Sequence, residues 1–256
     1  MTEPSLKTPS FKLDGKRALI TGGSRGIGFA AAFALAEAGA HIVLIARNND
    51  DLKKACAKIK SNGGSCEGYC FDITNVLEIQ HLFKSFLPID ILINNAGMNR
   101  PRSFQEVNLE DFDQVFNLNV KAAFFCAQTV VRSMIKNKIP GSIINISSQM
   151  GHVGGKKRSV YCATKHAIEG LTKAMALDLA SYNIRVNSLG PTFIETPMTK
   201  PFFQDVKFLE ETHSKIPLGR IGQVNDIMGA IVFLASEASS MMTGTNLLID
   251  GGWTAQ

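Results

Sequence analysis

The sequence predicts an α/β fold: a single domain built on a doubly wound parallel sheet with helices on both faces. Three observations carry that expectation. Short apolar runs alternate with stretches of helical length along the chain, the pattern of parallel strands joined by crossover helices. A glycine-rich turn, Thr21-Gly22-Gly23-Ser24-Arg25-Gly26-Ile27-Gly28, falls between the first apolar run and the first helix. No stretch is rich enough in Pro, Gly or Ser to divide the 256 residues, so residues 1–256 are expected to form one unit.

Taken in order, Ala18-Leu19-Ile20 is a short buried strand, and residues 29–38 form the helix after the glycine turn. Strands are expected again at 41–46, 65–71, 89–93, 142–147, 185–189 and 246–249, each an apolar run of strand length. Helices over 51–61, 76–86, 112–135, 163–180 and 224–235 separate them. Residues 192–217 break the alternation. With Pro197, Pro201 and the phenylalanines at 202 and 203, this segment reads as a substrate lid.

Composition narrows the classes of function. Hydrophobic residues make up 45% of the chain, enough for a large core. The five cysteines, the absence of a secretory leader and mostly apolar surroundings predict reduced thiols in the cytoplasm. Cys66 and Cys70 have metal-like spacing but no partner pair, so no metal is expected. No apolar run reaches membrane-spanning length. A net charge of +5 with one tight basic cluster, Lys156-Lys157-Arg158, argues against nucleic acid as a partner.

The chemistry centres on Tyr161 and Lys165. Four residues apart, they share one helical face, and a neighbouring ammonium lowers the pKa of a phenol. Ser148, at the end of the strand over 142–147, offers a hydroxyl that can hold a carbonyl or alcohol oxygen while the phenol exchanges its proton. The glycine loop places Gly22, Gly26 and Gly28 where a backbone must turn and approach a pyrophosphate at a helix N-terminus. Its spacing is neither G-x-G-x-x-G nor a Walker loop. Asp72 ends the third strand, where it either accepts from an adenine amino group or caps the next helix.

These features together resemble the short-chain dehydrogenase/reductase family. The resemblance runs from about residue 15 to 252. It rests on the glycine loop at 21–28, Asn94-Asn95-Ala96-Gly97, Asn119, Ser148, Tyr161-x-x-x-Lys165, Asn187-x-x-x-Pro191 and Asp250-Gly251-Gly252. It implies a Rossmann-like sheet and hydride exchange between a nicotinamide and a CH–OH/C=O pair. By matching positions it implies Asn119, Ser148, Tyr161 and Lys165 as the catalytic set, with Asn119 holding a water. Gly22, Ser24, Arg25, Gly26, Ile27 and Gly28 would hold the cofactor together with Arg47, Asp72, Asn94, Ala96 and Gly97. At the nicotinamide end they would be joined by Tyr161, Lys165, Pro191, Ile194 and Thr196. Thr192 departs from the family, which usually has glycine after that proline.

Cofactor choice turns on the end of the second strand. A carboxylate there suits the ribose hydroxyls of NAD, whereas this chain has Ala46-Arg47-Asn48, with Arg25 in the glycine loop. Two guanidiniums suit a 2′-phosphate. NADP(H) is therefore expected to be preferred, with NAD(H) possible.

The substrate is expected to be a small carbonyl or alcohol. A 3-oxoacyl thioester, carried by an acidic carrier protein, is placed first because of the overall pattern and the basic residues near 134–138. Tyr182-Asn183, standing where such reductases often have an arginine, weakens that reading. A sugar, sugar-acid or polyol dehydrogenase is the alternative, and a non-enzymatic dinucleotide-binding scaffold is remote because the catalytic set is full. Ser148, Met150, His152, Phe202 and Phe203 are the expected substrate contacts. Lys156-Lys157-Arg158 could meet an anionic tail or be a solvated turn. The resemblance implies a homotetramer paired through the helices over 112–135 and 163–180.

Overall fold

The computed structural model describes residues 6–86 and 88–255. Its centre is a parallel sheet of seven strands with the order β3-β2-β1-β4-β5-β6-β7. These are β1 (Arg17–Thr21), β2 (His41–Ala46), β3 (Ser65–Cys70), β4 (Ile91–Asn94), β5 (Gly141–Ile146), β6 (Ile184–Pro191) and β7 (Asn246–Ile249). The central strands are buried on both faces, which is why they read as unbroken apolar runs.

Strand alternation sorts those residues into two cores. On one face Ile20, Leu44, Ile93 and Ile144 pack under α1 (Gly26–Glu37), α2 (Asn49–Ser61) and α8 (Asn225–Ala235). On the other, Leu19, Val43, Leu92 and Ile143 pack under α3 (Val76–Phe83), α5 (Ala123–Asn137) and α6 (Ser159–Leu179). Helix α1 carries Ala30, Ala31, Ala32 and Ala34 buried along its length, so small side chains let it lie close between the sheet and α8.

The order reverses between β1 and β4, and it is at the carboxyl ends of such a switch point that a crevice opens. Three departures from the sequence expectation concern this crevice. Helix α1 begins at Gly26 rather than at 29, because the last turn of the glycine loop is already helical. The single helix expected over 112–135 is instead α4 (Leu109–Phe116), a π-helical turn Asn117–Ala122, and α5. The widened turn carries Asn119, whose side chain bonds the backbone of a neighbouring loop. The irregular segment 192–217 contains α7 (Val206–Ser214), started by the Asp205 carboxylate accepting from the Phe208 N–H. The two prolines upstream mask that cap in the sequence.

Candidate active site

A cleft of about 380 Å³ lies along the carboxyl ends of β1 to β6. Its β1–β3 side is made from backbone. Gly22 has φ +64°, a left-handed conformation that favours glycine, and a Cβ there would sit 3.0 Å from the Ala96 Cα. The loop is tied to the end of β4. Asn95 Nδ2 donates to the Thr21 and Gly22 carbonyls at 2.9 and 3.1 Å, and Thr21 Oγ1 accepts from the Asn95 and Ala96 N–H groups at 3.1 and 3.2 Å. Arg25 is the N-cap of α1 and contributes no side-chain cap, so the first-turn N–H groups face the cleft beside Ser24, Gly26 and Ile27. This cradle fits a pyrophosphate.

Arg25 and Arg47 are exposed and both border the cleft. Arg47 Nη1 lies 3.8 Å from Asp72 Oδ2, a loose pair with the arginine side chain 69% exposed. The other Asp72 oxygen accepts from the Thr74 N–H and hydroxyl at 2.9 and 2.8 Å. Asp72 therefore serves its own turn while still bordering the cleft. Asn48 caps α2 by accepting from Asp50 and Asp51 N–H, and Asp51 also borders the cleft.

Asn94 corrects the expected cofactor set. Its buried side chain donates to the Ala123 carbonyl at 3.1 Å and to Asn145 Oδ1 at 3.0 Å, joining β4 to β5 and α5, and it does not border the cleft. Strand alternation turns it into the core and leaves Asn95, which the sequence reading did not single out, to hold the glycine loop.

The β5–β6 side is made from side chains. Ser148, 6% exposed, accepts from the Met150 N–H at 3.1 Å and donates to Gln149 Oε1 at 2.7 Å. It is near enough to the Tyr161 phenol to pull that group's titration down. Lys165 is buried; its Nζ donates to the Ile146 carbonyl at 2.8 Å and lies 5.5 Å from the centre of the Tyr161 ring. Burial lowers the Lys165 pKa to about 8, opposed by Glu169. Glu169 in turn accepts from Ser188 at 2.8 Å and Asn246 at 2.9 Å.

Tyr161 departs from expectation. Burial pushes its phenol up to about 12, while the nearby Ser148 hydroxyl and the charge of Arg158 pull it down. The sequence predicts a phenol lowered by Lys165; here desolvation outweighs the neighbouring charges.

Asn119 does not border the cleft. Its amide accepts from the Met98 N–H at 2.8 Å and donates to the Met98 carbonyl at 2.9 Å and to Thr164 at 3.1 Å. It pins the loop after β4 to α6 one turn from Tyr161. Pro191, Ile194 and Thr196 border the cleft, and the Thr196 side chain lies against Gly26.

Of the expected substrate contacts, Ser148, Met150 and Phe202 line the cleft. His152 and Phe203 do not. His152 is exposed after the short 3-10 turn Gln149–Gly151, and Phe203 packs edge-on against Phe193, 6.3 Å between ring centres. A 3-10 turn at Lys200–Gln204 sends the two adjacent rings in different directions. Several polar residues line the cleft to which the sequence reading gave no role, among them Asn99, Ser147, Gln149 and Thr192. Gln149 takes the Ser148 hydroxyl; Asn99 Oδ1, Ser147 Oγ and Thr192 Oγ1 are buried without a hydrogen-bond partner among the described residues. Only the departure at Thr192 signalled any of them. Among the described residues no group of three or more His, Cys, Asp or Glu could hold a metal ion, and no helix is long and apolar enough to cross a membrane.

A phosphate cradle at the switch point beside a serine, a phenol and a lysine defines a nicotinamide-dependent oxidoreductase acting on a CH–OH/C=O pair. The chain belongs to the short-chain dehydrogenase/reductase family: residues 22–254 match the family described as Enoyl-(Acyl carrier protein) reductase. It is 39% identical to L-xylulose reductase of Mesocricetus auratus, over 94% of this chain and 97% of that one. It is also 39% identical to gluconate 5-dehydrogenase of Gluconobacter oxydans, over 99% of each. Among solved structures, a gluconate 5-dehydrogenase from Burkholderia cenocepacia in complex with NADP and tartrate superposes with a TM-score of 0.92. It is 37% identical, covering 96% of this chain and 98% of that one. An NAD+-bound xylitol dehydrogenase gives 0.90 at 34% identity, covering 94% and 100%.

Proposed function

We propose that this enzyme interconverts a ketone and a secondary alcohol on a short polyhydroxylated substrate, a keto sugar or keto sugar acid, with NADP(H) preferred. The observation that carries the substrate class is the set of buried oxygens without a partner among the described residues on the cleft wall, Asn99 Oδ1, Ser147 Oγ and Thr192 Oγ1. Buried polar atoms without partners are costly, and substrate hydroxyls would satisfy them where an acyl chain could not. The relatives named for sugars, sugar acids and polyols support this reading over the 3-oxoacyl thioester that the sequence places first. Carrier docking has no support beyond the basic residues that suggested it.

A bound nicotinamide supplies or accepts the hydride. In reduction, Tyr161 donates a hydrogen bond to the substrate oxygen and Ser148, its hydroxyl turned from Gln149, donates a second, stabilising the charge the oxygen gains as the bond forms, and Tyr161 gives up its proton. The Lys165 ammonium would stabilise the phenolate left behind and would hold the cofactor ribose. Asn119 keeps the loop carrying Met98 and Asn99 in register with α6. Arg25 and Arg47, exposed and without a carboxylate ending β2, would meet a 2′-phosphate. Residues 192–217 would close over the substrate as a lid. A screen of NADPH oxidation across keto sugars, keto sugar acids and 3-oxoacyl thioesters tests the class. Activity confined to the thioesters would remove it.

The assembly is a homotetramer on this reading. Phe112 stacks on Phe116 at 4.6 Å yet stays 41% exposed, as does Phe124, and Leu177 on α6 is 83% exposed. These rings lie on the helices expected to pair. Sedimentation at micromolar concentration should show four copies; a monomer would contradict it. The five free thiols favour a reducing compartment such as the cytoplasm.

A further inference from the structure

The run Lys156-Lys157-Arg158 divides in the fold. Lys156 and Lys157 are exposed and do not border the cleft, whereas Arg158 borders it and is 7% exposed. A guanidinium keeps its charge in any protein setting, and burying one without a counter-ion is costly. Even partly buried arginines are compensated. Arg185 donates to the Leu234, Ser236 and Met242 carbonyls, and Arg17 pairs with Glu67 at 2.7 Å. Arg158 has neither a carboxylate nor a side-chain hydrogen bond among the described residues.

Its position is nonetheless fixed. The Cγ packs against Gly155, where a Cβ would lie 3.2 Å away. The guanidinium carbon lies 5.2 Å from the centre of the Phe202 ring, a cation–π contact with the 192–217 segment. Neither contact uses the N–H donors. Tyr161 is near enough for each group to shift the other's titration.

Building on the short polyhydroxylated ketone proposed above, the geometry points to Arg158 as the residue that grips a carboxylate on that substrate, which makes the substrate a keto sugar acid. A carboxylate offers two oxygens to the planar fork. A phosphate dianion calls for more charge than this side of the cleft holds. Lys165 is already engaged with the Ile146 carbonyl, and Arg25 and Arg47 stand on the β1–β2 side. The carbonyl would then lie at Ser148 and Tyr161, with the hydroxyls at Asn99 and Thr192.

Two measurements test the assignment. In the first, tartrate and threitol, which share a four-carbon diol skeleton, are titrated calorimetrically into the enzyme–NADP+ complex. Tartrate should bind the wild type more tightly, and Arg158→Gln should weaken it about 10- to 100-fold, with Arg158→Lys in between. Unchanged NADPH affinity and melting temperature establish that the variants are folded. In the second, a keto-hexonate and its ketohexose counterpart are compared in NADPH oxidation. The wild type should favour the keto-hexonate, and Arg158→Gln should collapse that preference, chiefly through KM.

Equal tartrate affinity in wild type and Arg158→Gln would overturn the assignment. So would a wild type that prefers the neutral ketohexose, although the polyhydroxylated-ketone reading would then stand. Equal losses on both ketones would make Arg158 a support for Tyr161 instead of an anion grip. A wild type that reduces neither ketone would remove the broader reading, and the tartrate titration would then decide Arg158 alone.

Discussion

The two sides of the cleft hold charge in opposite ways. On the β1–β3 side, Arg25 and Arg47 stay in water, and the groups aimed at the ligand are backbone N–H donors of a glycine turn. On the β5–β6 side, Lys165 and Arg158 are 6% and 7% exposed, and the working groups are side chains taken out of water. The first side suits a ligand that brings its own charge, since exposed cations attract it without a large folding cost. The second keeps desolvated polarity in place before substrate arrives, which costs stability and saves reorganisation during the reaction. On the proposed function, cofactor binding would rest chiefly on the first side, and turnover and substrate recognition on the second.

Tyr161→Phe is the strongest way to break that division. Removing the one hydroxyl that donates the proton should lower turnover about 10²- to 10⁴-fold, while NADPH affinity, read by fluorescence titration, stays near wild type. Near-normal turnover would mean that the phenol is not the acid.

The cost of the second side can be read from pH. Lys165 titrates at about 8 in the folded chain, against about 10.4 unfolded. Below pH 8 the folded state carries the buried ammonium at full cost. Between pH 8 and 10.4 the unfolded chain binds more protons than the folded one, so this group makes stability rise with pH. Tyr161, pushed up to about 12, acts oppositely above about pH 10, where the folded state keeps a proton that the unfolded chain has lost. Wild type should therefore gain on Lys165→Met by up to about 3 kcal/mol across the first window. Urea melts at pH 7.5 and 10 measure the gap, and a constant gap would mean that Lys165 is not desolvated.

The two sides also differed in how far the sequence revealed them. A glycine turn has few alternative explanations, and the positions of Gly22, Gly26, Arg25 and Arg47 followed from spacing and strand ends. Tyr161 and Lys165 were legible because four residues make one helical turn. What spacing cannot give is the direction of a side chain at the end of an element. Asn94 and Asn95 exchanged roles through strand alternation, Phe202 and Phe203 separated on a 3-10 turn, and a run of three basic residues split between solvent and cleft. The sign of the Tyr161 shift was hidden for a related reason, because burial is a property of the whole wall and not of the lysine four residues on.

Arg47→Asp tests the first side. If Arg47 meets the 2′-phosphate as proposed, reversing its charge should raise the Michaelis constant for NADPH about 10- to 100-fold and that for NADH much less, with turnover on saturating cofactor little changed. Parallel effects on both cofactors would show that Arg47 does not read the 2′-phosphate.

The smallest effect should come from the residues that share a sequence run with Arg158 but not its environment. Lys156 and Lys157 are exposed and away from the cleft, and exposed charges are screened beyond roughly 8 Å at physiological salt. Replacing both by serine should change catalytic efficiency toward an anionic ketone by less than about twofold at that ionic strength. A modest loss should appear only at low salt, where the Debye length grows to about 30 Å and the two charges can still draw an anion toward the cleft. A loss as large as that of Arg158→Gln, persisting at high salt, would mean that the loop folds inward when substrate binds. Anion recognition would then belong to the whole run instead of to its one buried member.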